Sequence, residues 1–102
     1  MTNPLTAGLT PTHPGEVLRD VVLPAVTPGK AEIARLLGIS RQHLYDVLGA
    51  KKPVTSQMAL RLAKLFGGEP DTWLRMQMTY DLRVTAAAMA DELANIRQLQ
   101  AA

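Results

Sequence analysis
Apolar residues recur at three- and four-residue intervals over residues 17–96, and proline, glycine or a capping side chain stands wherever a helix would begin or end. That rhythm predicts an all-helical chain. The first helix is expected to open at His13-Pro14-Gly15-Glu16. His13 is its N-cap, Pro14 takes the first helical position, where a missing N–H is harmless, and Glu16 lies near the positive helix end. Val17, Leu18, Val21 and Val22 form its apolar stripe, and Pro24 is expected to stop it. Thr27-Pro28 repeats the capped-proline device for a second helix carrying Ala31, Ile33, Ala34 and Leu37. Gly38 sits where a helix ends in a left-handed residue, and Ser40 caps a third helix with Leu44, Val47 and Leu48 on one side. Beyond the breaker at residues 49–53, Thr55 caps a fourth helix with the broad face Met58, Ala59, Leu62, Ala63, Leu65 and Phe66, ended by Gly67-Gly68. Glu69-Pro70-Asp71 opens a fifth, in which Trp73 is a core anchor beside Leu74, Met78 and Leu82. No break is expected after Tyr80. Leu82, Ala86, Met89, Leu93 and Ile96 keep the alternating four-and-three spacing of a helix seam.

The second and third helices carry the chemistry. They are joined by a tight Gly-Ile-Ser turn, with the small Ala34 where two helices would cross and apolar side chains at Ile33, Leu37, Ile39, Leu44 and Val47. A plain helical hairpin satisfies the apolar places easily; the small residue, glycine and serine in one register point to a helix-turn-helix. On a 100° wheel Gln42 and Asp46 face away from the apolar side of the third helix, His43 and Tyr45 flank them, and Arg41 swings outward from the first turn. The expected DNA-binding residues are therefore Ser40, Arg41, Gln42, His43, Tyr45 and Asp46, with Lys51 and Lys52 placed for phosphate. Asp46 is the odd member. A carboxylate repels phosphate unless it accepts from cytosine N4 or orients Arg41 or Gln42; the alternative is an ordinary surface aspartate. The fold class expected is all-α: a compact five-helix, repressor-like helix-turn-helix domain with a C-terminal helical extension. Residues 1–12 read as a flexible tail, 13–80 as the DNA-binding domain, and 81–102 as a C-terminal helix with two readings: a dimerisation element through Leu82, Ala86, Met89, Leu93 and Ile96, or a helix that packs back on its own domain while the dimer forms elsewhere.

Composition narrows this picture. A chain of 102 residues with 47% hydrophobic residues builds one small core that association would help. The net charge of +2 conceals an asymmetry: residues 30–64 hold seven basic against two acidic side chains, and the remainder four against seven. A basic middle in an acidic frame is the footprint expected of a DNA-facing surface. There is no cysteine, hence no disulfide or thiol chemistry. His13, Glu16 and His43 make no adequate metal set, and no Gly-rich phosphate loop or activated nucleophile is present, so neither an enzyme nor a cofactor is expected. No apolar run reaches membrane-spanning length and no signal peptide is visible, so a cytoplasmic protein, nucleoid-associated when on DNA, is expected.

Three stretches carry a family resemblance. HPGEVL from His13, MALRLAKLFG from Met58 and PDTWLRMQMTYDL from Pro70 resemble the HigA-type antitoxins of bacterial toxin–antitoxin modules, over roughly residues 13–82. The resemblance implies a dimeric repressor of its own operator that neutralises a protein toxin, typically an mRNA endonuclease. It adds to the second reading of residues 81–102 a helix that serves the toxin while the dimer forms elsewhere. The chain departs from the pattern at Asp46, where a basic or small polar residue is common, and at Glu69, where serine or threonine usually caps the helix. Without the resemblance two alternatives stand: a free-standing transcription regulator with no toxin, and a helical protein that only grips a partner.

Overall fold
The computed structural model describes residues 12–100, and every regular element among them is helical. Apart from Thr12, the expected tail lies outside the described residues. Helix α1 (Pro14–Val17) opens as its sequence dictates, with Pro14 at its start and His13 extended before it. The His13 ring nitrogen Nδ1 accepts the Gly15 N–H at 2.9 Å. Burial pushes the imidazole below its usual pKa, against the raising pull of Glu16 and Asp81. The ring therefore stays neutral and keeps the lone pair the cap needs. Its edge meets Tyr80 of a later helix, ring centres 4.9 Å apart at 78°.

Four expectations fail around the first two helices. Pro24 does not stop it: the chain runs on through a π turn (Leu18–Val22) and a 3₁₀ turn (Leu23–Ala25). The wider winding, closed by the Leu23 N–H on the Leu18 carbonyl, rotates Val21 off the core face, so Val21 is exposed and Leu18 alone of the stripe is fully buried. Thr27 does not cap the second helix either. Val26 packs against the core, and residues 27–29 are used to bring the chain from there into α2 (Lys30–Leu37), whose N-cap is Gly29. Ala31 then points to solvent, while Ile33, Ala34 and Leu37 are buried.

Helices α3 (Arg41–Leu48) and α4 (Ser56–Phe66) follow the expected caps, and α5 (Pro70–Ala88) begins at the expected proline. Ser40 Oγ accepts from the His43 N–H at 3.0 Å and Thr55 Oγ1 from the Met58 N–H at 3.2 Å. Glu69, by contrast, gives α5 no side-chain cap. One core joins the elements: Leu18, Ile33, Leu44, Val47, Met58 and Leu62 are essentially removed from water, with Trp73 closing one side. Each such aliphatic side chain contributes about 1.5–3 kcal/mol. A buried polar tie completes it. Gln77 Oε1 accepts the Val54 N–H at 2.7 Å, and its Nε2 donates to Asp81 at 2.9 Å.

The C-terminal extension is not one unbroken helix. α5 ends at Ala88, Met89 leaves helical geometry at φ −103° and ψ 14°, and a short α6 (Ala90–Ala94) follows. Beyond residue 80 the described side chains are all exposed. With no buried side chain there among the described residues, little packing sustains this stretch, and short helices in water are marginal.

Candidate nucleic-acid interface
Helix α3 is held from behind so that its polar side stands clear. Leu44, Val47 and Leu48 are buried, while Arg41, Gln42 and Tyr45 are exposed and His43 is half-buried. Two close approaches fix its position. A Cβ built on Gly15 would lie 1.8 Å from the Val47 carbonyl oxygen, so α1 rests directly on the α3 backbone. At the other end Gly38, with φ +74°, ends α2 in the left-handed conformation glycine tolerates best. The Arg61 guanidinium fills the space beside it and donates to the Leu37 carbonyl at 2.8 Å. Arg61 from α4 thus ties the α2 end, and with it the turn, to the body of the domain.

Two expectations about charge change here. Arg61, although exposed overall, commits its guanidinium to the Leu37 carbonyl, and Arg35 pairs with Glu32 one turn earlier on α2. Asp46 does not stand fully outward: its side chain is only 16% exposed. The loop after α3 folds back over it, with the Lys51 and Lys52 N–H groups donating to the Asp46 carbonyl at 2.8 and 3.1 Å. Ala50 takes φ +59° to allow that reversal. Gln42 Nε2 donates to Asp46 Oδ1 at 2.9 Å, and Lys52 Nζ lies 3.6 Å from Oδ2. The sequence-derived set therefore divides. Ser40 is a cap; Arg41, Gln42, His43 and Tyr45 form the presented face; Asp46 and Lys52 form a bridge beneath Gln42; and Lys51 is exposed at its edge.

Two residues at this face escaped the sequence reading. Lys30 Nζ sits 5.9 Å from the centre of the Tyr45 ring, a cation–π pair that puts a positive charge beside α3. Gln57, at the start of α4, shares a shallow cavity of about 230 Å³ with His43 and Arg61. Lys30 was counted in the basic segment, but no local pattern placed it against Tyr45. Gln57 was detectable only as an exposed polar residue just after a cap.

The five seam residues are all exposed, from Met89 at 37% to Ile96 at 70% among the large ones. The break at Met89 distributes them over two helices, with Ile96 beyond the second. Among the described residues no cluster of three potential metal ligands occurs, and no helix is long and apolar enough to cross a membrane.

A buried-backed helix offering Arg, Gln, His and Tyr from a tight turn defines a helix-turn-helix module of the kind that enters the major groove. No family model matches the chain. Individual proteins do. Virulence-associated protein I of Dichelobacter nodosus is 35% identical over 72 residues, covering 71% of this chain and 67% of that protein. Antitoxin GraA, solved in complex with its operator, superposes with a TM-score of 0.84 at 31% identity, covering 99% of both chains. The Pseudomonas aeruginosa antitoxin HigA, solved with the higBA promoter, gives 0.83 at 31% identity, covering 88% of this chain and 99% of that one. The chain belongs to the HigA-type antitoxin family of helix-turn-helix proteins. Its named relatives are antitoxins, helix-turn-helix transcription regulators and virulence-associated proteins, and none bears the name of an enzyme.

Proposed function
We propose that this protein is a sequence-specific DNA-binding antitoxin: a cytoplasmic autorepressor that binds its own operator as a dimer and neutralises a cognate toxin. The observation that carries it is the rigidly backed, outward polar face of α3, in a chain whose relatives GraA and HigA were solved on operator and promoter DNA. The division into a DNA-binding domain at residues 13–80 and a dimerising extension at 81–102 goes with this reading. Arg41 reads a base edge at the open end of α3, while Lys30, Lys51 and Lys52 supply positive charge at its rim. Toxin neutralisation rests on the family alone.

Titration of the full chain with DNA from upstream of its own gene tests the reading. Affinity should fall about a hundredfold or more between roughly 50 and 200 mM salt as counterions are released. Arg41→Ala should relax preference at one base pair per half-site by about 1–3 kcal/mol. Lys51→Ala should weaken all sequences alike. A salt-independent association would rule out DNA binding by this face.

The dimer is assigned to the exposed seam. Two half-sites centred one helical turn apart, roughly 34 Å, require two copies at a fixed separation. Leu82, Ala86, Met89, Leu93 and Ile96 are apolar and exposed among the described residues. Replacing Met89 and Leu93 together with aspartate should give a folded monomer by sedimentation, with operator affinity lost. A folded dimer would exclude the seam.

A further inference from the structure
We propose that Asp46 decides which base Gln42 reads, by fixing the direction in which the Gln42 carboxamide faces the DNA. The inference rests on the DNA-binding reading above and assigns a base preference to it. Gln42 and Asp46 lie one turn apart on α3, with Gln42 Nε2 2.9 Å from Asp46 Oδ1. The carboxylate is itself held. Lys52 Nζ approaches its other oxygen at 3.6 Å, and the loop that carries Lys52 is anchored by the Lys51 and Lys52 N–H groups on the Asp46 main-chain carbonyl. Its side chain is largely covered, while Gln42 is exposed.

An ionised carboxylate only accepts hydrogen bonds, so Gln42 must turn its NH₂ group inward. That leaves Oε1 and the second amide hydrogen for the groove: one acceptor and one donor. Adenine offers the complement, an N6 donor beside the N7 acceptor. Guanine offers two acceptors, N7 and O6, and the Gln42 carbonyl would face one of them. An unrestrained glutamine could turn its amide over and adapt. Here the turn would set Oε1 against Asp46 Oδ1, two acceptors in contact. The Lys52 ammonium also offsets the charge that would otherwise repel phosphate. Asp46 is thus a positioning residue: it selects adenine through Gln42 without touching DNA.

The test is selection of the full-length protein against a randomised duplex library, with sequencing of the bound fraction. The wild type should enrich adenine over guanine about tenfold or more at one position per half-site. Gln42→Ala should flatten that position and so locate it. Asp46→Ala, and the near-isosteric Asp46→Asn, whose amide can accept or donate, should reduce the same enrichment to about threefold or less. Enrichment elsewhere in the site should persist, which a merely structural role for Asp46 would not allow. Adenine preference that survives both Asp46 substitutions but not Gln42→Ala overturns the proposal while leaving operator binding intact. Equal loss at all positions also overturns it. If the wild type enriches no sequence, the DNA-binding reading fails and this one with it.

Discussion

Replacing Gly15 with alanine is expected to destabilise the domain by about 3 kcal/mol, the upper part of the range for overpacking a close contact. The added Cβ would stand 1.8 Å from the Val47 carbonyl oxygen. That atom belongs to a helix backbone, which cannot rotate aside as a side chain would. Alanine brings a compensating gain, because it is the better helix former by about 1 kcal/mol, yet this is smaller than the clash. In a domain of this size the net loss should lower the melting temperature by roughly 10–20 °C, measurable by circular dichroism. The relief available to the chain is to move α1 and α3 apart, so DNA affinity should fall in the molecules that stay folded. An unchanged melting temperature would mean that α1 does not rest on the α3 backbone.

Gln77→Ala is expected to cost about 2–4 kcal/mol, from a buried N–H left without its acceptor and the cavity that remains. Gln77 is 6% exposed, and its Oε1 receives the Val54 N–H at 2.7 Å from the loop that leads into α4. Gln77→Glu separates the two causes. It keeps the acceptor for Val54 but removes the Nε2–H donated to Asp81, setting two carboxylates together. Its loss should therefore grow as pH rises through the carboxylate range, whereas the loss for Gln77→Ala should not. Thermal unfolding at pH 4 and 7 would distinguish them, and a pH-independent Gln77→Glu would argue against the Asp81 contact.

The parts legible in the sequence are those set by neighbours along the chain. The caps at His13, Ser40 and Thr55 and the left-handed Gly38 follow from local backbone chemistry, and the structure has each of them. The buried sides of α3 and α4 follow from helical period. What escaped depends on contacts over distance. A 100° wheel places Asp46 on the outside because it contains no loop to fold back over it. Arg61 counts only toward the basic middle of the sequence, and nothing in its own helix reports the Leu37 carbonyl 24 residues away. The π turn was hidden for a related reason. Val21 fits an apolar stripe by spacing, and only the widened winding, closed from Leu18 to Leu23, removes it. The break at Met89 has no local signal, because alanine-rich sequence favours helix wherever packing is silent.

The Arg61 clamp on Leu37 has a kinetic consequence. A recognition element that had to become ordered on contact would lose conformational entropy at each encounter and bind slowly or weakly for its contact area. With α2 fastened at its last carbonyl and α3 starting after only three intervening residues, the turn between them has little freedom left to lose. Docking can then proceed as the meeting of rigid surfaces. On the proposed reading of α3 as the DNA-facing helix, its rate would be set by orientation and by attraction between the cations around α3 and the duplex, rather than by a folding step. Occupancy of the site would thereby follow the concentration of the protein promptly as that concentration rises and falls.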